Sequence, residues 1–294
     1  MKRPLKIVYL SPSLYIAGGV ERVLTTKANY FADVLGYDIY IILTDGKGKS
    51  PYYPLSPKVK VINLDINFED LWHLSFLKKI PVYLKKQRVF KKELTEILTK
   101  IRPDITISLL RREINFITSI KDGSKKIGEI HINRDNYRNF KTDGNNIIKK
   151  IFAYFWDKQL VSKLKGLDAF VVLTKDDKDK WPELNKVSVI PNPLPFYPEE
   201  KSTCRQKKAI SVGRYSHEKG FDRLAKAWAI VTESRPDWTL HIYGSGESHE
   251  LQKQIQELGI DKNLIIHGAT SEIVEKYNVE NISTDLIYPL PYLS

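Results

Sequence analysis

Short apolar segments alternate with longer amphipathic segments along most of the chain. Apolar runs rich in β-branched residues predict strands, and apolar positions at helical spacing predict helices. The predicted strands are Lys6–Leu10, Asp38–Leu43, Val59–Leu64, Ile105–Leu109, Lys126–Ile130, Ala169–Leu173, Val187–Ile190, Ala209–Val212, Thr239–Tyr243 and Leu264–His267. The predicted helices are Val20–Leu35, Val82–Ile101, Phe221–Thr232, Glu250–Leu258 and Ser271–Tyr277. This alternation is typical of parallel βαβ units.

A proline-rich stretch interrupts the alternation. It reads as a hinge, because proline is disfavoured inside helices and strands. Its prolines are Pro191, Pro193, Pro195 and Pro198. The alternation begins again after it, so we predict two doubly wound, Rossmann-like domains, 1–197 and 198–294, facing each other across a cleft. Ligands of such sheets bind beyond the carboxyl ends of the strands, which directs attention to the loops there.

Composition narrows the class of protein. The chain has 294 residues, of which 42% are hydrophobic and 28% charged, as in globular proteins rather than disordered or membrane-spanning ones. Its first residues superficially mimic a secretory signal, but the apolar run stops at Ser11 and no cleavage site follows. The single cysteine, Cys204, excludes an intrachain disulfide and suits a reducing cytosol. We therefore expect a cytoplasmic location.

The formal net charge of +12 favours an anionic partner. Part of this charge lies on the helix predicted at Val82–Ile101, which also carries an apolar stripe typical of a core-facing side. Its basic residues include Lys85, Lys86, Arg88, Lys91 and Lys92. They form either a plain solvated face or a surface that attracts an anionic membrane, where each basic residue contributes about 1 kcal/mol. No nucleic-acid reader module is recognisable, so nucleic acid is not an expected partner.

Glycines follow the first strand of each predicted domain. Gly18 and Gly19 open the first helix, where free backbone N–H groups suit either a phosphate or an ordinary tight turn. In the second domain, Gly213 and Arg214 end a strand, and Lys219 stands just before the next helix. An arginine fork and a lysine point charge match the oxygens of a diphosphate. These two cations are either an ordinary solvated surface pair or a site that stabilises a departing diphosphate, and their placement around one strand-to-helix loop favours the second interpretation.

Two further loops bear on the chemistry. Gly244 and Gly246 follow the next strand, but His249 stands where a dinucleotide fingerprint needs a small residue, which disfavours a nicotinamide cofactor. His131 ends the strand Lys126–Ile130. Its side chain either has a purely structural role or forms a hydrogen bond to a sugar hydroxyl or a phosphate. The other histidines lack metal-ligand spacing, so we expect no metal site.

In their order along the chain, these motifs resemble glycosyltransferase family four, whose members are retaining, nucleotide-sugar-dependent enzymes of the GT-B fold. The matching segments are Gly18-Gly19-Val20-Glu21-Arg22, Glu129-Ile130-His131, Leu173-Thr174 with Asp176, Pro191-Asn192-Pro193, Val212-Gly213-Arg214 with Glu218-Lys219-Gly220, and Tyr243-Gly244-Ser245-Gly246. The resemblance implies sugar transfer from a donor such as a UDP- or GDP-sugar, without a cofactor or metal. The implied acceptor is a glycan or a lipid-linked molecule in cell-surface polysaccharide synthesis.

The resemblance also assigns roles to residues. It makes 1–197 the acceptor-side domain and 198–294 the nucleotide-sugar-binding domain. His131 would contact the donor sugar, while Arg214 and Lys219 would grip the diphosphate. The other donor-binding residues would be Gly18, Gly19, Asn192, Gly213, Gly244, Gly246, Gly268 and Ala269, the last two beside the nucleobase.

One departure separates this chain from the family pattern. Family members carry two glutamates after a later strand, whereas here Leu286–Tyr288 reads as that strand and the sequence stops at Ser294. Glu272 and Glu280 have the spacing but precede the strand, and we treat them as coincidence. We therefore expect a C-terminally truncated chain, with an incomplete second domain and little or no activity. The alternatives are a non-catalytic remnant that binds a nucleotide sugar and, by architecture alone, an epimerase or phosphorylase.

Overall fold

The computed structural model describes residues 3–137, 147–194, 206–270, 273–279 and 282–283. The chain divides into two compact units, Met1–Pro195 and Phe196–Ser294, which we call the N-terminal and C-terminal units. Each unit contains one parallel sheet with helices packed against it, which confirms the predicted α/β class.

The sheet of the N-terminal unit consists, among the described residues, of seven parallel strands. They are β1 (Lys6–Ser11), β2 (Asp38–Leu43), β3 (Lys60–Asn63), β4 (Ile105–Ser108), β5 (Lys125–Glu129), β6 (Ala169–Val172) and β7 (Val187–Val189). Their order is β3-β2-β1-β4-β5-β6-β7, so the direction of winding reverses between β1 and β4. Ligands of doubly wound sheets bind at this switch point, which the loops after β1 and β4 border.

Helices cover both faces of this sheet. They are α1 (Gly19–Asp33), α2 (Phe76–Ile101), α3 (Ile147–Lys165) and α4 (Lys175–Asp179), with 3₁₀ turns at Phe68–His73, Glu113–Asn115, Ile117–Ser119 and Arg134–Asn136. Alternate residues of β1 enter different cores, because successive strand side chains point to opposite faces. Tyr9 packs with α1 residues, whereas Leu10 joins a core that includes Phe90 and Leu94 of α2. The apolar stripe predicted on α2 therefore faces the core.

The C-terminal unit repeats the same winding on a smaller scale. Its strands are β8 (Lys208–Val212), β9 (Thr239–Tyr243), β10 (Leu264–His267) and β11 (Ile282–Ser283). Its helices are α5 (Phe221–Ser234), α6 (His249–Glu257) and α7 (Ile273–Val279), with a 3₁₀ turn at His217–Lys219. The strand order is β10-β9-β8-β11, so the loop after β8 lies at the switch point of this sheet.

The structure differs from the predicted elements in three places. Helix α2 begins at Phe76 rather than Val82, since Lys79 already donates its backbone N–H to Ser75 ahead of Pro81. Helices α3 and α4 were not predicted. Strand β11 precedes the segment predicted as a strand at Leu286–Tyr288, which lies outside the described residues together with Glu272 and Glu280.

Candidate functional site

The loop after β8 carries the predicted diphosphate-binding residues. The stem of Lys219 passes over Gly213, where a Cβ atom would lie 3.4 Å from both Cδ and Cε of the lysine. Lys219 closes a 3₁₀ turn by donating its backbone N–H to Ser216 at 3.0 Å, and both Lys219 and Arg214 are exposed. The lack of a side chain at Gly213 lets the lysine lie against the backbone just before Arg214. Both cations therefore belong to the surface of one loop.

Tyr215 ties this loop to the ends of the neighbouring strands. Its hydroxyl lies 2.9 Å from the carbonyl oxygen of Ile242 and 2.6 Å from that of His267. Its backbone N–H donates to the carbonyl of Ser245 at 2.8 Å. Burial raises the pKa of Tyr215 to about 12, so the hydroxyl keeps its proton at neutral pH. The loops after β8, β9 and β10 are thus held as one surface at the carboxyl edge of the sheet.

The glycines predicted to bind the donor line the same edge. A Cβ atom on Gly244 would lie 1.9 Å from the carbonyl oxygen of Gly213, so these two loops pack backbone against backbone. Gly246 has a φ of +109°, a conformation that favours glycine. Gly268 and Ala269 are exposed, and nothing lies within 4 Å of a Cβ position at Gly268. The predicted residues of the C-terminal unit are therefore brought together at one edge.

Gly18 and Gly19 lie at the switch point of the N-terminal sheet, where α1 begins. The carbonyl of Gly18 accepts the N–H of Arg22 at 3.1 Å, and no side chain caps this helix end. Nothing lies within 4 Å of a Cβ position at Gly19, whereas one at Gly18 would lie 2.0 Å from Oε2 of Glu21. The helix N-terminus suits an anion, but the carboxylate of Glu21 lies over it and must turn away before a phosphate can approach.

His131 belongs to a buried network beyond the end of β5. Its Nε2 lies 3.6 Å from Oε2 of Glu129, and the same oxygen lies 2.9 Å from Nζ of Lys27 on α1. Burial by itself raises the pKa of Glu129, but contacts with His131 and Lys27 outweigh it and the net direction is downward. Nδ1 of His131 is buried and has no hydrogen-bond partner among the described residues.

A cavity of about 720 Å³ opens at the carboxyl edge of the N-terminal sheet. Its walls include Glu69 and Trp72 of the first 3₁₀ turn, Asp45 after β2, and Arg112 after β4. Trp72 is 76% exposed and Asp45 only 1%. No motif in the sequence predicted this cavity, although Arg111 and Arg112, just beyond the strand predicted at Ile105–Leu109, were a signal that could have indicated it.

The acidic wall of the cavity is held in place by a tyrosine. The hydroxyl of Tyr15 donates to Oε1 of Glu69 at 2.6 Å, and this bond raises the pKa of Tyr15 to about 12. Asp45 also helps to hold this wall, because its Oδ1 accepts the backbone N–H of Glu69 at 2.9 Å. Arg112 lies 3.9 Å from Asp45 and stacks over the ring of Phe68. The cavity wall therefore combines the carboxylate of Glu69, an arginine and the exposed ring of Trp72.

Asn192 stands apart from these groups. It is exposed and follows β7, the edge strand of the N-terminal sheet, whereas Gly18 and Gly19 lie at the switch point. The strand order separates them within this unit, and a donor-binding role for Asn192 stays a prediction.

Neither a metal cluster nor a membrane span occurs in the described part of the chain. No three or more His, Cys, Asp or Glu side chains there are grouped so as to hold a metal ion. No helix in the same ranges combines the length and apolarity needed to cross a bilayer.

Comparison with known proteins shows similarity to glycosyltransferases. Residues 198–284 match the family described as Glycosyl transferases group 1. An uncharacterized glycosyltransferase of Haemophilus influenzae is 28% identical over 94% of this chain and 72% of its own length. The amylovoran biosynthesis glycosyltransferase AmsD of Erwinia amylovora is 25% identical over 94% of this chain and 73% of its own length.

A solved structure shows the same fold. A mutant of S. aureus TarM, crystallised with fondaparinux, alpha-GlcNAc-glycerol and UDP, has a TM-score of 0.63 at 14% identity. The match covers 94% of this chain and 80% of that one. The likeness supports the predicted GT-B fold with Rossmann-like units. Within this chain, residues 198–284 match a Glycosyl transferases group 1 domain.

Proposed function

We propose that this protein transfers a sugar from a nucleotide-sugar donor to a glycan or lipid-linked acceptor, with retention at the anomeric carbon. The observation that carries the proposal is the loop after β8, where Lys219 lies against Gly213, the residue just before the exposed Arg214. This loop belongs to a domain that matches the glycosyl transferases group 1. The complex of TarM with UDP and the role of AmsD in amylovoran biosynthesis support a nucleotide donor and a polysaccharide context.

The proposed reaction breaks the bond between the anomeric carbon and the diphosphate oxygen. Negative charge develops on the diphosphate, and Arg214 and Lys219 stabilise it by charge-assisted hydrogen bonds. An acceptor hydroxyl forms the new bond to the anomeric carbon on the face that the diphosphate leaves, and its proton passes to the departing diphosphate oxygen. Because side chains provide the positive charge, the proposed reaction requires no metal or cofactor.

The cavity of the N-terminal unit is the acceptor site that we propose. Sugars offer many hydroxyls together with apolar C–H faces, so they suit a wall that combines polar groups and an aromatic ring. Glu69 supplies a hydrogen-bond acceptor there, and the exposed ring of Trp72 supplies a flat apolar surface. Asp45 holds the backbone of Glu69 in place from beneath.

A membrane-facing surface on α2 completes the proposal and fits a lipid-linked acceptor. Ile80 and Leu84 are 46% and 49% exposed, one helical turn apart, and Lys85 and Arg88 beside them are exposed too. Lys86 does not belong to this surface, because it turns inward to bind carbonyl groups. Apolar side chains with basic neighbours suit the surface of an anionic membrane, on which the protein would sit at the cytoplasmic face.

A transfer assay tests the function directly. UDP-, GDP- and ADP-sugars are offered with a lipid extract to the wild type, Arg214→Ala, Lys219→Ala and the control Lys226→Ala, an exposed lysine of α5. We expect Lys219→Ala to reduce turnover at least tenfold at unchanged melting temperature, and Lys226→Ala to leave it unchanged. Donor binding without any transfer would support the non-catalytic alternative, and equal activity of Lys219→Ala and Lys226→Ala would refute the role of the loop. The low activity expected from the sequence stays a prediction, which the wild-type rate tests.

A further inference from the structure

Strained backbone lies beside the cavity of the N-terminal unit. Within the part of the chain that the structure describes, the non-glycine residues with a positive φ are Asp65, Asn67, Arg102 and Leu110. Arg102 ends α2, where a left-handed residue is common. Asp65 and Asn67 lead into the 3₁₀ turn Phe68–His73, and Leu110 lines the cavity itself. Residues in this conformation cluster at functional sites, where the surrounding contacts must hold them.

Lys86 of α2 holds the 65–67 loop in its left-handed conformation. Its Nζ lies 2.5 Å from the carbonyl oxygen of Ile66 and 2.6 Å from that of Asn67. The same atom lies 3.1 Å from Oδ2 of Asp70, and the side chain of Lys86 is only 20% exposed. Asn67 also donates its side-chain amide to Asp65 at 2.7 Å. One ammonium group therefore binds two consecutive carbonyls of the strained loop through charge-assisted hydrogen bonds.

The conformation of the 65–67 loop sets where the turn after it points. Phe68 follows the loop directly, is fully buried and packs against Phe90 of α2, with 5.9 Å between the ring centroids. The next positions of the turn place Glu69 and Trp72 on the wall of the cavity. Since only a single turn separates these two side chains from the loop, a rotation of the loop would move both.

We propose that Lys86 is a positioning residue of the acceptor site, which acts through Glu69 and Trp72 by holding the 65–67 loop in the conformation that places them on the cavity wall. The assignment rests on the proposed function. Glu69 then accepts hydrogen bonds from the hydroxyls of the acceptor, and Trp72 packs on an apolar sugar face. Lys86 itself does not line the cavity, so it acts only through its neighbours.

Fluorine NMR tests this placement without any ligand. The protein is labelled with 5-fluorotryptophan, and the signal of Trp72 is identified by its loss in Trp72→Phe. In Lys86→Met this signal should shift or split, because the turn is no longer held in one conformation, whereas Lys86→Arg keeps charged donors and should retain most of the wild-type signal. The matched control is Lys100→Met, an exposed lysine of the same helix, which should leave the signal unchanged. An unchanged Trp72 signal in Lys86→Met would overturn the proposal.

Two rates measured on the same protein separate acceptor positioning from general damage. Water can replace the acceptor, and the donor is then hydrolysed to free sugar and nucleoside diphosphate. Lys86→Met should need about tenfold more lipid extract for half-maximal transfer, while maximal transfer and donor hydrolysis stay within about twofold of the wild type. An equal fall of transfer and hydrolysis would show a merely structural role and overturn the proposal. If Lys86→Met does not fold, Lys86→Gln, with a shorter and neutral side chain, takes its place in both tests.

A double variant tests whether Lys86 acts through the cavity wall. If it does, Lys86→Met combined with Trp72→Ala should raise the amount of extract for half-maximal transfer by less than the product of the two single effects. Effects that multiply fully would overturn the proposal. A wild type that neither hydrolyses nor transfers from any of the donors would instead refute the proposed function, while the fluorine signal still decides whether Lys86 holds the turn.

Discussion

Gly213 and Gly244 meet backbone to backbone: a Cβ atom on Gly244 would lie 1.9 Å from the carbonyl oxygen of Gly213. The two residues follow the neighbouring strands β8 and β9, and the N–H of Gly213 donates to Tyr243 at 3.0 Å. The missing side chain of Gly244 therefore sets how closely the two loops approach. Since Arg214 comes next in the chain, this approach also sets where the cationic loop lies.

Replacing Gly244 by alanine should destabilise the C-terminal unit. The new methyl group collides with backbone rather than with a flexible side chain, and overpacking of this kind costs about 1–3 kcal/mol. Urea unfolding of Gly244→Ala should show a lower midpoint than the wild type at similar slope. Gly268→Ala is the stability control, because nothing lies within 4 Å of its Cβ position. Equal midpoints for the two variants would contradict the close approach.

The positions of the glycines in the C-terminal unit could be predicted, because the end of a strand is recognisable from the few residues around it. Gly213 and Gly244 follow apolar runs whose bounds agree with β8 and β9 to within a residue. Helix α3 escaped prediction for the opposite reason. Its sequence has six consecutive apolar or aromatic residues, 151–156, so no single stripe marks a helix.

The parts of the candidate site that the sequence did not predict depend on contacts between distant segments of the chain. The cavity wall joins Asp45, Glu69 and Arg112, which follow different strands. The partner of Glu129 is Lys27, which comes from a helix more than a hundred positions earlier. Neither grouping has a periodic signature, because only the packing of α1 and the strand order bring these residues together.

Lys86 should contribute to folding stability rather than to membrane binding. Its Nζ lies 2.5 Å from the carbonyl oxygen of Ile66, 2.6 Å from that of Asn67 and 3.1 Å from Asp70. Lys86→Met leaves these carbonyls without their donor and should cost about 1–3 kcal/mol. Lys85→Met, one position away and exposed, should lie within about 0.5 kcal/mol of the wild type. Chemical denaturation followed by circular dichroism measures both, and a neutral Lys86→Met would show that the contacts contribute nothing.

Membrane attachment should depend on the exposed charges of α2. Each basic residue near an anionic bilayer contributes about 1 kcal/mol, so Lys85→Glu with Arg88→Glu should weaken binding roughly 30-fold or more. Sedimentation with anionic vesicles at low salt measures this, and high salt should screen the attraction. Lys226→Glu with Lys262→Glu makes the same change of charge in the C-terminal unit and should have much less effect. An equal loss of vesicle binding in both double variants would contradict a membrane-binding role for the surface on α2. Equal binding of the wild type to neutral and anionic vesicles would contradict it too.

Acidification should lower the folding stability of the C-terminal unit, because it protonates a pair of stacked histidines. Nδ1 of His241 lies 2.9 Å from Nε2 of His267, and their rings are 5.1 Å apart at an angle of 8°. One of the facing nitrogens must donate and the other accept, so protonation of both rings breaks the contact. Burial, followed by the charges of His267 and Lys208, lowers the pKa of His241 to about 4.

The direction of the pH effect follows from this lowered pKa. Between about pH 4 and 6.5 the unfolded chain binds more protons at His241 than the folded chain does, so stability is complete above 6.5 and falls with acidification. Because the ring is only half-buried, we expect a loss of about 1–2 kcal/mol. Hydrogen exchange of β9 and β10 at pH 5.0 and 7.5, corrected for intrinsic rates, measures it. His241→Gln should remove most of this pH dependence, whereas His249→Gln, whose ring is 85% exposed in the wild type, should retain it. If the wild type and His241→Gln lose protection equally, the histidine pair is not the cause.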